Sequence, residues 1–190
     1  MASKPDGIQG LAVDAASGLP QDPFLGTRVL AIDPDFYKGL RKRLGEVFQT
    51  GATTILYEIG VGYGEQMGKV IEEEGKGKLS TYRDFIEKGR YQGWGRFETP
   101  IIRMIVAGLK GEMVVKLERS FFAEAVGKTG EAECYIVAGM VKGAAKVILG
   151  KEMDCIEEKC ASKGDEFCQF RLVPDRKGLS ASVVSNVAAP

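Results

Sequence analysis

Four cysteines occupy a short part of this chain, and their spacing limits what it can fold into more than any other feature. Cys134 opens a helical stretch, and Cys155, Cys160 and Cys168 follow within the run KEMDCIEEKCASKGDEFCQFRLVP. In a reducing compartment such a cluster binds metal or reacts more often than it forms disulfides. The chain has no histidine, so serine–histidine triads and histidine-based zinc hydrolases are excluded.

Two interpretations of the cysteines are open on spacing alone. A hairpin around SKGDE would bring Cys160 and Cys168 together, and a helix N-terminus would favour Cys134 as a thiolate. Three thiolates are one ligand short of a tetrahedral zinc site. The candidates for the fourth ligand are Cys155, Glu157, Glu158, Asp165 and Glu166. Because the chain has no C-x-x-C pair, the cysteines could instead be small buried core residues.

Strand geometry restricts the choice of the fourth ligand. Residues two apart in an extended strand share a face, so Cys155 and Glu157 point the same way while Cys160 points to the opposite side. Glu157 and Cys160 can therefore share a metal only if the strand bulges or begins to turn between them.

Charge and hydropathy exclude several classes of protein. Lysine and arginine together number 26, as do aspartate and glutamate, so nothing indicates a nucleic acid or an anionic membrane as partner. The longest apolar runs, such as MIVAGL, are far shorter than the roughly 20 residues that span a bilayer. The N-terminus has no apolar core of signal-peptide length. We therefore expect a cytoplasmic protein without a membrane span.

Apolar periodicity and turn residues predict the order of the elements. The first helix begins at Asp33-Pro34, runs through DFYKGLRKRLGEVFQ and ends at Gly51. The long ATTILYEIGVGYGEQMGKVIEEE and the short TYRDFIEKGR are the next two helices. RFETPIIRMIVAGL and EMVVKLERSFFAEAV form a hairpin through a Leu109-Lys110-Gly111 turn. The helix EAECYIVAGMVKGAAKVILG, closed by Gly150, precedes a second hairpin of MDCIEEKC and EFCQFRLVP.

This order of elements defines the fold class. It has no βαβ alternation, so it predicts an α+β domain in which an antiparallel sheet of about four strands, in two hairpins, packs against helices. The domain occupies residues 28–174. Residues 1–27 and 175–190 are rich in small and turn-forming residues without periodicity, so we expect a loosely ordered N-terminal arm and a flexible C-terminal tail.

Glycines stand four residues apart on two of the predicted helices. Gly60, Gly64 and Gly68 line one stripe, and Gly139 and Gly143 line another. Each glycine costs a helix roughly 1 kcal/mol relative to alanine, so such stripes have a packing or a functional reason. The packing reason is close approach of a neighbouring helix or sheet. The functional reason is bare backbone that leaves room for a flat ligand.

Aromatic and sulfur-containing side chains surround these glycines in the sequence. Most such side chains form ordinary core, but a glycine floor with aromatic walls is also typical of an apolar ligand pocket. The candidates for such a pocket are Tyr57, Gly60, Gly64, Met67, Trp94, Phe97, Phe121 and Tyr135.

The order of these motifs resembles the 4-vinyl reductase domain family, which is related to vesicle-tethering complex subunits and to the sensor domains of phenol-responsive activators. WGRFET, VVKLERSFFAEAVG and the Cys134-led glycine helix follow the family's strand, E-N-S-F-like strand end and Cys-led helix. The family then ends in E-x-x-C-x-x-x-G-x-x-x-C-x-F. Residues on that pattern, without a gap, are Glu157, Cys160, Gly164, Cys168 and Phe170. The resemblance covers about residues 28–174.

The resemblance implies a commonly dimeric domain with a buried cavity for a hydrophobic small molecule. In the phenol sensors a structural zinc is held by a Cys at a helix start, the Glu and Cys of E-x-x-C, and the final Cys. The ligands implied here are Cys134, Glu157, Cys160 and Cys168. Cys155 has no counterpart in the motif. The sensors also use a histidine for the phenolic hydroxyl, and its absence here argues against that route of recognition.

Three functions follow from the resemblance. The leading one is a stand-alone, homodimeric domain that holds a hydrophobic or aromatic molecule, with a tetrapyrrole among the candidates, and acts through a separate signalling or enzyme partner. An alternative is a subunit or accessory of a reductase in tetrapyrrole metabolism, although the chain has no nicotinamide- or flavin-binding motif to support catalysis on its own. A further alternative is a structural tethering protein whose cavity is filled by its own side chains.

Overall fold

The structure is a computed structural model, and it describes residues 12–13, 15–22, 27–72, 85–86, 89, 92–103, 112–150 and 152–174. The predicted Leu109-Lys110-Gly111 turn and the predicted tail over 175–190 lie outside these residues. Of the predicted third helix, only Phe85, Ile86 and Gly89 are described, and all three are helical.

The main sheet is antiparallel and four-stranded. Its strands are β4 (Arg96–Arg103), β5 (Glu112–Glu118), β6 (Met153–Lys159) and β7 (Cys168–Pro174), in the spatial order β4-β5-β7-β6. β4 pairs with β5 and β6 with β7, so the two predicted hairpins are confirmed, and β5 joins them by pairing with β7. Together with the covering helices, this sheet makes the predicted α+β fold.

Three short strands precede the first helix. β1 (Ala12–Val13), β2 (Pro20–Asp22) and β3 (Thr27–Arg28) form a small antiparallel sheet with β2 at its centre. Asp22 at the end of β2 is buried and accepts a hydrogen bond from Gln92 Nε2 at 2.9 Å. This contact attaches the small sheet to the segment that leads into β4.

Besides the helical residues 85–86 and 89, the described part of the chain contains four α-helices and one 3₁₀ turn. They are α1 (Pro34–Phe48), α2 (Gly51–Glu72), α3 (Phe121–Val126), α4 (Tyr135–Leu149) and the 3₁₀ turn Ala161–Lys163. Asp33 caps α1 as predicted, because its side chain accepts a hydrogen bond from the Phe36 N–H at 2.8 Å. The predicted end of α1 at Gly51 is wrong. Gln49, with φ of 50°, ends α1, and Gly51 begins α2.

The predicted second strand of the first hairpin is too long. β5 stops at Glu118, and FFAEAV forms α3 instead of continuing the strand. Arg119 has φ of 54°, which breaks the extended backbone, and the Ser120 side chain accepts a hydrogen bond from the Ala123 N–H as the N-cap of α3. The β-propensity of two adjacent phenylalanines is thus overridden by a turn and a helix cap.

The glycine stripes hold α2 and α4 against each other. A Cβ on Gly64 would lie 2.1 Å from the Met140 carbonyl oxygen, and one on Gly143 would lie 2.1 Å from the Val61 carbonyl oxygen. Gly60 stands in the same relation to the Ile136 carbonyl. Residue numbers rise together along both helices, so α2 and α4 run parallel with backbones close enough for Cα–H···O contacts. The side of these glycines on which a Cβ would project faces helix backbone, which supports the packing alternative.

The core lies between this helix pair and the sheet. Alternate residues of β5 and β7 point into it, as the period of two in a strand requires. The buried strand residues include Val115, Leu117, Phe170 and Leu172. Among the described residues, no helix is both long and apolar enough to cross a membrane.

Most of the apolar side chains of α1 lie outside the core, although Leu44 packs against it. Phe36 is 58% exposed, Leu40 39% and Val47 66%, while Tyr37 on the adjacent face is buried. The helix itself is confirmed, but most of its large apolar side chains lie at the surface.

Candidate metal centre

Three cysteines and one glutamate converge in the structure. One ligand atom from each of Cys134, Glu157, Cys160 and Cys168 lies within 4.8 Å of all the others. The Sγ atom of Cys134 is 3.5 Å from that of Cys168 and 4.0 Å from that of Cys160, and the Cys160 and Cys168 sulfurs are 4.0 Å apart. Tetrahedral zinc with Zn–S bonds of about 2.3 Å requires sulfurs about 3.8 Å apart. The cluster therefore has the dimensions of a zinc site.

Separate elements bring these ligands together. Cys134 is the N-cap residue of α4, Glu157 lies on β6, Cys160 follows β6, and Cys168 begins β7. The pairing of β6 with β7 shifts register between Glu157 and Lys159. This irregularity is the bulge that the sequence required, because it turns the chain so that Glu157 and Cys160 face one point.

The other candidates for the fourth ligand have different surroundings. Cys155 is buried, and Tyr57 and Lys142 lie close to it. Glu158 forms ion pairs and hydrogen bonds with Arg171 and Gln169 on the solvent side of β7. Asp165 accepts a hydrogen bond from the Cys160 N–H at 2.8 Å and so supports the turn. Neither these three residues nor Glu166 belong to the four-residue cluster.

The four groups cannot all be ionised in the buried cluster without a cation. Hydrogen bonds from the Cys134 and Cys168 thiols lower the pKa of Cys160, so the negative charge is concentrated on that sulfur. The pKa of Cys134 is raised because its thiol proton is held by Cys160 and Cys168 and because the group is buried. Burial and the charge on Cys160 also raise the pKa of Glu157. A divalent cation would stabilise the ionised form of all four groups at once.

One oxygen in the cluster has no partner. Glu157 Oε2 accepts a hydrogen bond from the Cys134 N–H at 3.2 Å, while Glu157 Oε1 is buried without any hydrogen bond. A buried oxygen without a partner costs roughly 1 to 3 kcal/mol, more when it is charged. The orphaned oxygen, the three thiols and their spacing fit a zinc ion, which these four residues would hold.

A cluster of five aromatic rings lies near the metal centre. Its members are Tyr37, Tyr63, Trp94, Phe121 and Phe122, and we call it the aromatic cluster. Tyr63 and Trp94 stack with centroids 5.4 Å apart and an interplanar angle of 9°. The Tyr63 hydroxyl donates to Gln92 Oε1 at 3.3 Å, so a polar group stands at the edge of the cluster.

The predicted pocket residues do not all meet. Trp94 and Phe121 belong to the aromatic cluster and are joined through Phe122. Met67 is buried in the core, and Phe97 on β4 lies against Gly89. Gly60 and Gly64 lie in the seam between α2 and α4, against the backbone of α4. The ring of Tyr57 lies beneath the Lys142 ammonium, and the ring of Tyr135 lies beneath the Arg41 guanidinium.

Sequence reasoning missed several residues around the metal centre. Ser120 is buried with its Oγ 3.1 Å from Cys134 Sγ, and Arg41 Nε pairs with the buried Glu133 at 2.8 Å. Tyr37 is buried with an unpartnered hydroxyl. A serine two residues after the end of a strand is a helix N-cap signal, but the strand interpretation of FFAEAV concealed it.

Comparisons with known proteins agree with this geometry. Residues 113–174, which include all four members of the metal cluster, match the 4-vinyl reductase domain, so the predicted resemblance is confirmed. An uncharacterized protein of Methanocaldococcus jannaschii is 25% identical over 121 residues, 63% of this chain and 64% of that protein. A second one is 37% identical over 60 residues, 32% of this chain and 33% of that protein. The match thus spans less than two thirds of either relative.

One solved structure shows the same fold, and two others are similar over part of the chain. The phenol-responsive sensory domain of the transcription activator PoxR, determined with phenol, superposes with a TM-score of 0.78 at 16% identity, over 93% of this chain and 92% of that one. A vinyl-4-reductase family protein of Methanocaldococcus jannaschii has a TM-score of 0.47 at 20% identity, over 64% of this chain and 68% of that one. A trafficking protein particle complex subunit 3 from Naegleria fowleri also has a TM-score of 0.47, at 15% identity, over 74% of this chain and 95% of that one.

Proposed function

We propose that this protein is a small-molecule-binding domain that holds a hydrophobic or aromatic ligand at the aromatic cluster and is cross-linked by a structural zinc. The observation that carries this proposal is the packing of five aromatic rings, with a polar edge at Gln92, inside a fold similar over 93% of the chain to a phenol-responsive sensory domain. The ligand class rests on the chemistry of those rings. A tetrapyrrole is one candidate within it.

The role proposed for zinc is structural. Cys134, Glu157, Cys160 and Cys168 would supply the four ligands of a tetrahedral zinc, so the ion would join α4 to the β6–β7 hairpin and keep no position for a reacting water. We also propose a cytoplasmic location, because cysteines that form no disulfide are typical of proteins from a reducing compartment.

Ligand binding would require the aromatic rings to move apart. Centroid distances within the cluster run from 4.8 Å between Tyr37 and Phe122 to 6.1 Å between Tyr37 and Phe121, which is direct ring contact. An aromatic ligand would replace one of these contacts with a similar one. The hydroxyl of Tyr63 and the amide of Gln92 would select ligands with a polar group at one edge.

Homodimerisation through α1 is part of the proposal. Phe36, Leu40 and Val47 are spaced by four and seven residues, the pattern of a helix that pairs with another helix, and all three are exposed. Lys42 and Arg43 pair with Glu46 within the helix, so charges of both signs flank this face. A two-fold dimer would bring the same patch of both chains together. The occupant of this face would be a second copy of the chain.

Native mass spectrometry of the purified protein tests metal, ligand and subunit number together. We expect two chains, one zinc per chain and a retained apolar molecule that is released on denaturation. Val47→Glu should yield monomers, whereas the control Ile156→Glu, on the exposed side of β6, should leave the dimer intact. Absence of zinc from freshly purified protein would exclude the metal assignment.

Fluorescence tests the ligand site directly. Trp94 is the only tryptophan in the chain, so its emission reports on the aromatic cluster alone. We expect saturable quenching or a shift of emission on titration with phenol, naphthalene or a porphyrin, with aliphatic alcohols as controls. Unchanged emission with all aromatic compounds, in protein shown to hold no retained ligand, would contradict the proposed binding site.

A further inference from the structure

Each of the four metal-ligand groups has one hydrogen-bond contact outside the set of ligand atoms. The Cys134 N–H donates to Glu157 Oε2, the Ala161 N–H lies 3.4 Å from Cys168 Sγ, and the Glu133 backbone donates to Cys160. These three donors are backbone amides. The Cys134 sulfur differs, because its contact outside the cluster is the hydroxyl of Ser120 at 3.1 Å.

Ionisation of Cys134 fixes the direction of this hydrogen bond. A metal-bound thiolate has no proton to give, so the Ser120 hydroxyl must be the donor. The same oxygen accepts a hydrogen bond from the Ala123 N–H at 3.4 Å as the N-cap of α3. A hydroxyl has one proton and two lone pairs, so both contacts can exist together. Ser120 is buried, which keeps water from replacing it.

A centre of three thiolates, one carboxylate and Zn²⁺ carries two net negative charges in a buried place. Hydrogen bonds to the sulfurs spread that charge and fix the orientation of the ligands. Three of the four donors cannot be removed by changing a side chain, because they are backbone amides. Among the described residues, Ser120 is the side chain that supplies this support to a ligand sulfur.

We propose that Ser120 is a positioning residue of the metal centre, whose hydroxyl donates to the metal-bound Cys134 thiolate and attaches it to the first turn of α3. This inference rests on the proposed metal site. It extends that site to α3, which carries Phe121 and Phe122 of the aromatic cluster, and the Phe121 N–H donates to the Trp94 carbonyl at 3.1 Å.

Ser162 provides a matched control. Like Ser120 it is 1% exposed, and like Ser120 it hydrogen-bonds Ala123, through Ser162 Oγ and the Ala123 carbonyl at 3.4 Å. Its side chain has no contact with a ligand sulfur among the contacts of the described residues. Ser120→Ala and Ser162→Ala therefore each remove one buried hydroxyl bonded to the same residue, and only Ser120→Ala removes a hydrogen bond to the metal-binding sulfur.

The test compares cobalt- and zinc-loaded forms of the full chain. We expect Ser120→Ala to shift the sulfur-to-cobalt charge-transfer band and to transfer zinc to a chromophoric chelator at least about tenfold faster than wild type. Ser162→Ala should match wild type in both readouts, and Ser120→Thr should restore the band. Equal behaviour of the two alanine variants, or an unshifted band in Ser120→Ala, overturns the proposal.

A measurement on the unmodified protein covers the case in which Ser120→Ala does not fold. In protein loaded with ¹¹³Cd, a ¹H–¹¹³Cd correlation should contain a slowly exchanging hydroxyl proton assigned to Ser120, beside amide protons of Glu133 and Ala161. Amide cross-peaks without the hydroxyl cross-peak overturn the role of Ser120 while leaving the metal site intact. Failure of wild type to bind any of the three metals overturns both the site and this inference.

Discussion

The metal cluster and the seam between α2 and α4 are both places where the chain packs unusually closely, but they differ in what they lack. In the seam, a Cβ added to Gly64 or to Gly143 would stand 2.1 Å from a carbonyl oxygen of the facing helix, so no space is left. In the metal cluster, four groups with acidic protons converge on one point and Glu157 Oε1 has no partner. The seam is complete as a protein structure, whereas the cluster leaves a buried carboxylate oxygen without a partner.

This difference distinguishes two sequence signals that both suggest a site. A glycine stripe marks a place where backbone approaches backbone, and the approach itself accounts for the residue type. Packing alone does not explain a buried set of thiols and a carboxylate. Burying these groups together is unfavourable for their ionised forms, because it raises the pKa of Cys134 and of Glu157. Ligand chemistry is inferred more safely from groups that are costly to bury than from groups that are small.

The largest effect is expected from a substitution that removes one ligand of the metal cluster. Cys168→Ser should reduce zinc from one per chain to none and remove the stabilisation that zinc supplies, about 4 kcal/mol when free zinc is a thousandfold above its Kd. Cys155→Ala, which changes a buried thiol outside the cluster, should keep one zinc per chain. Metal analysis and denaturant unfolding with and without a chelator measure both. Loss of zinc from the Cys155 variant would make Cys155 the fourth ligand.

A second substitution breaks the seam. Gly64→Ala places a methyl group against the Met140 carbonyl and should force α2 and α4 apart, lowering the free energy of unfolding by about 3 kcal/mol. Zinc content should not change, because the substitution is away from all four ligands. Denaturant unfolding and metal analysis of the same samples check this. A variant as stable as wild type would contradict the close packing of the two helices.

A third prediction concerns pH in the metal-free protein. Because burial and the charge on Cys160 hold the pKa of Glu157 above its unfolded value, the contribution of Glu157 to stability falls as pH rises from the unfolded pKa of about 4.3 towards the folded pKa. Glu157→Gln mimics the protonated form and should flatten this decline, with a gain of the order of 1 kcal/mol at neutral pH. Urea unfolding at several pH values, in the presence of a chelator, measures the free energy of unfolding of both proteins. If that free energy had the same pH dependence in wild type and Glu157→Gln, the raised pKa of Glu157 would not be its cause.

The smallest expected effect tests whether the glycines of α2 differ in their role. Gly62 lies in the same helix as Gly64, but a Cβ there would meet nothing within 4 Å. Gly62→Ala should therefore stabilise the protein by up to about 1 kcal/mol through helix propensity, opposite in sign to Gly64→Ala. Thermal unfolding of the two variants side by side shows whether the signs differ.

Much of the fold and of the metal cluster could be predicted from the sequence. The E-x-x-C spacing determined that a bulge must follow Glu157 if it shares a metal with Cys160, and the register shift lies there. Period-two and helical patterns located both hairpins and the two long helices. These features depend on neighbours in sequence, which is why local patterns reveal them.

Other features depend on contacts that no local pattern records. The helical FFAEAV segment follows from the positive φ of Arg119 and the cap at Ser120, against the β-propensity of its phenylalanines. The exposure of Phe36 and Val47 depends on where α1 lies, since the same spacing also suits a buried face. The sequence could not decide whether Gly60 allows close helix packing or makes room for a ligand. That decision required the position of α4, whose backbone lies against Gly60.

The ion pair between Arg41 and Glu133 has a practical consequence for handling the protein. Arg41 lies on α1, which carries the proposed dimer face, and the buried Glu133 immediately precedes Cys134, a proposed metal ligand. A preparation stripped of metal by a chelating resin could therefore elute as a mixture of sizes and be mistaken for an unstable batch. Metal content and molecular mass should be recorded on the same fraction, because neither number can be interpreted without the other.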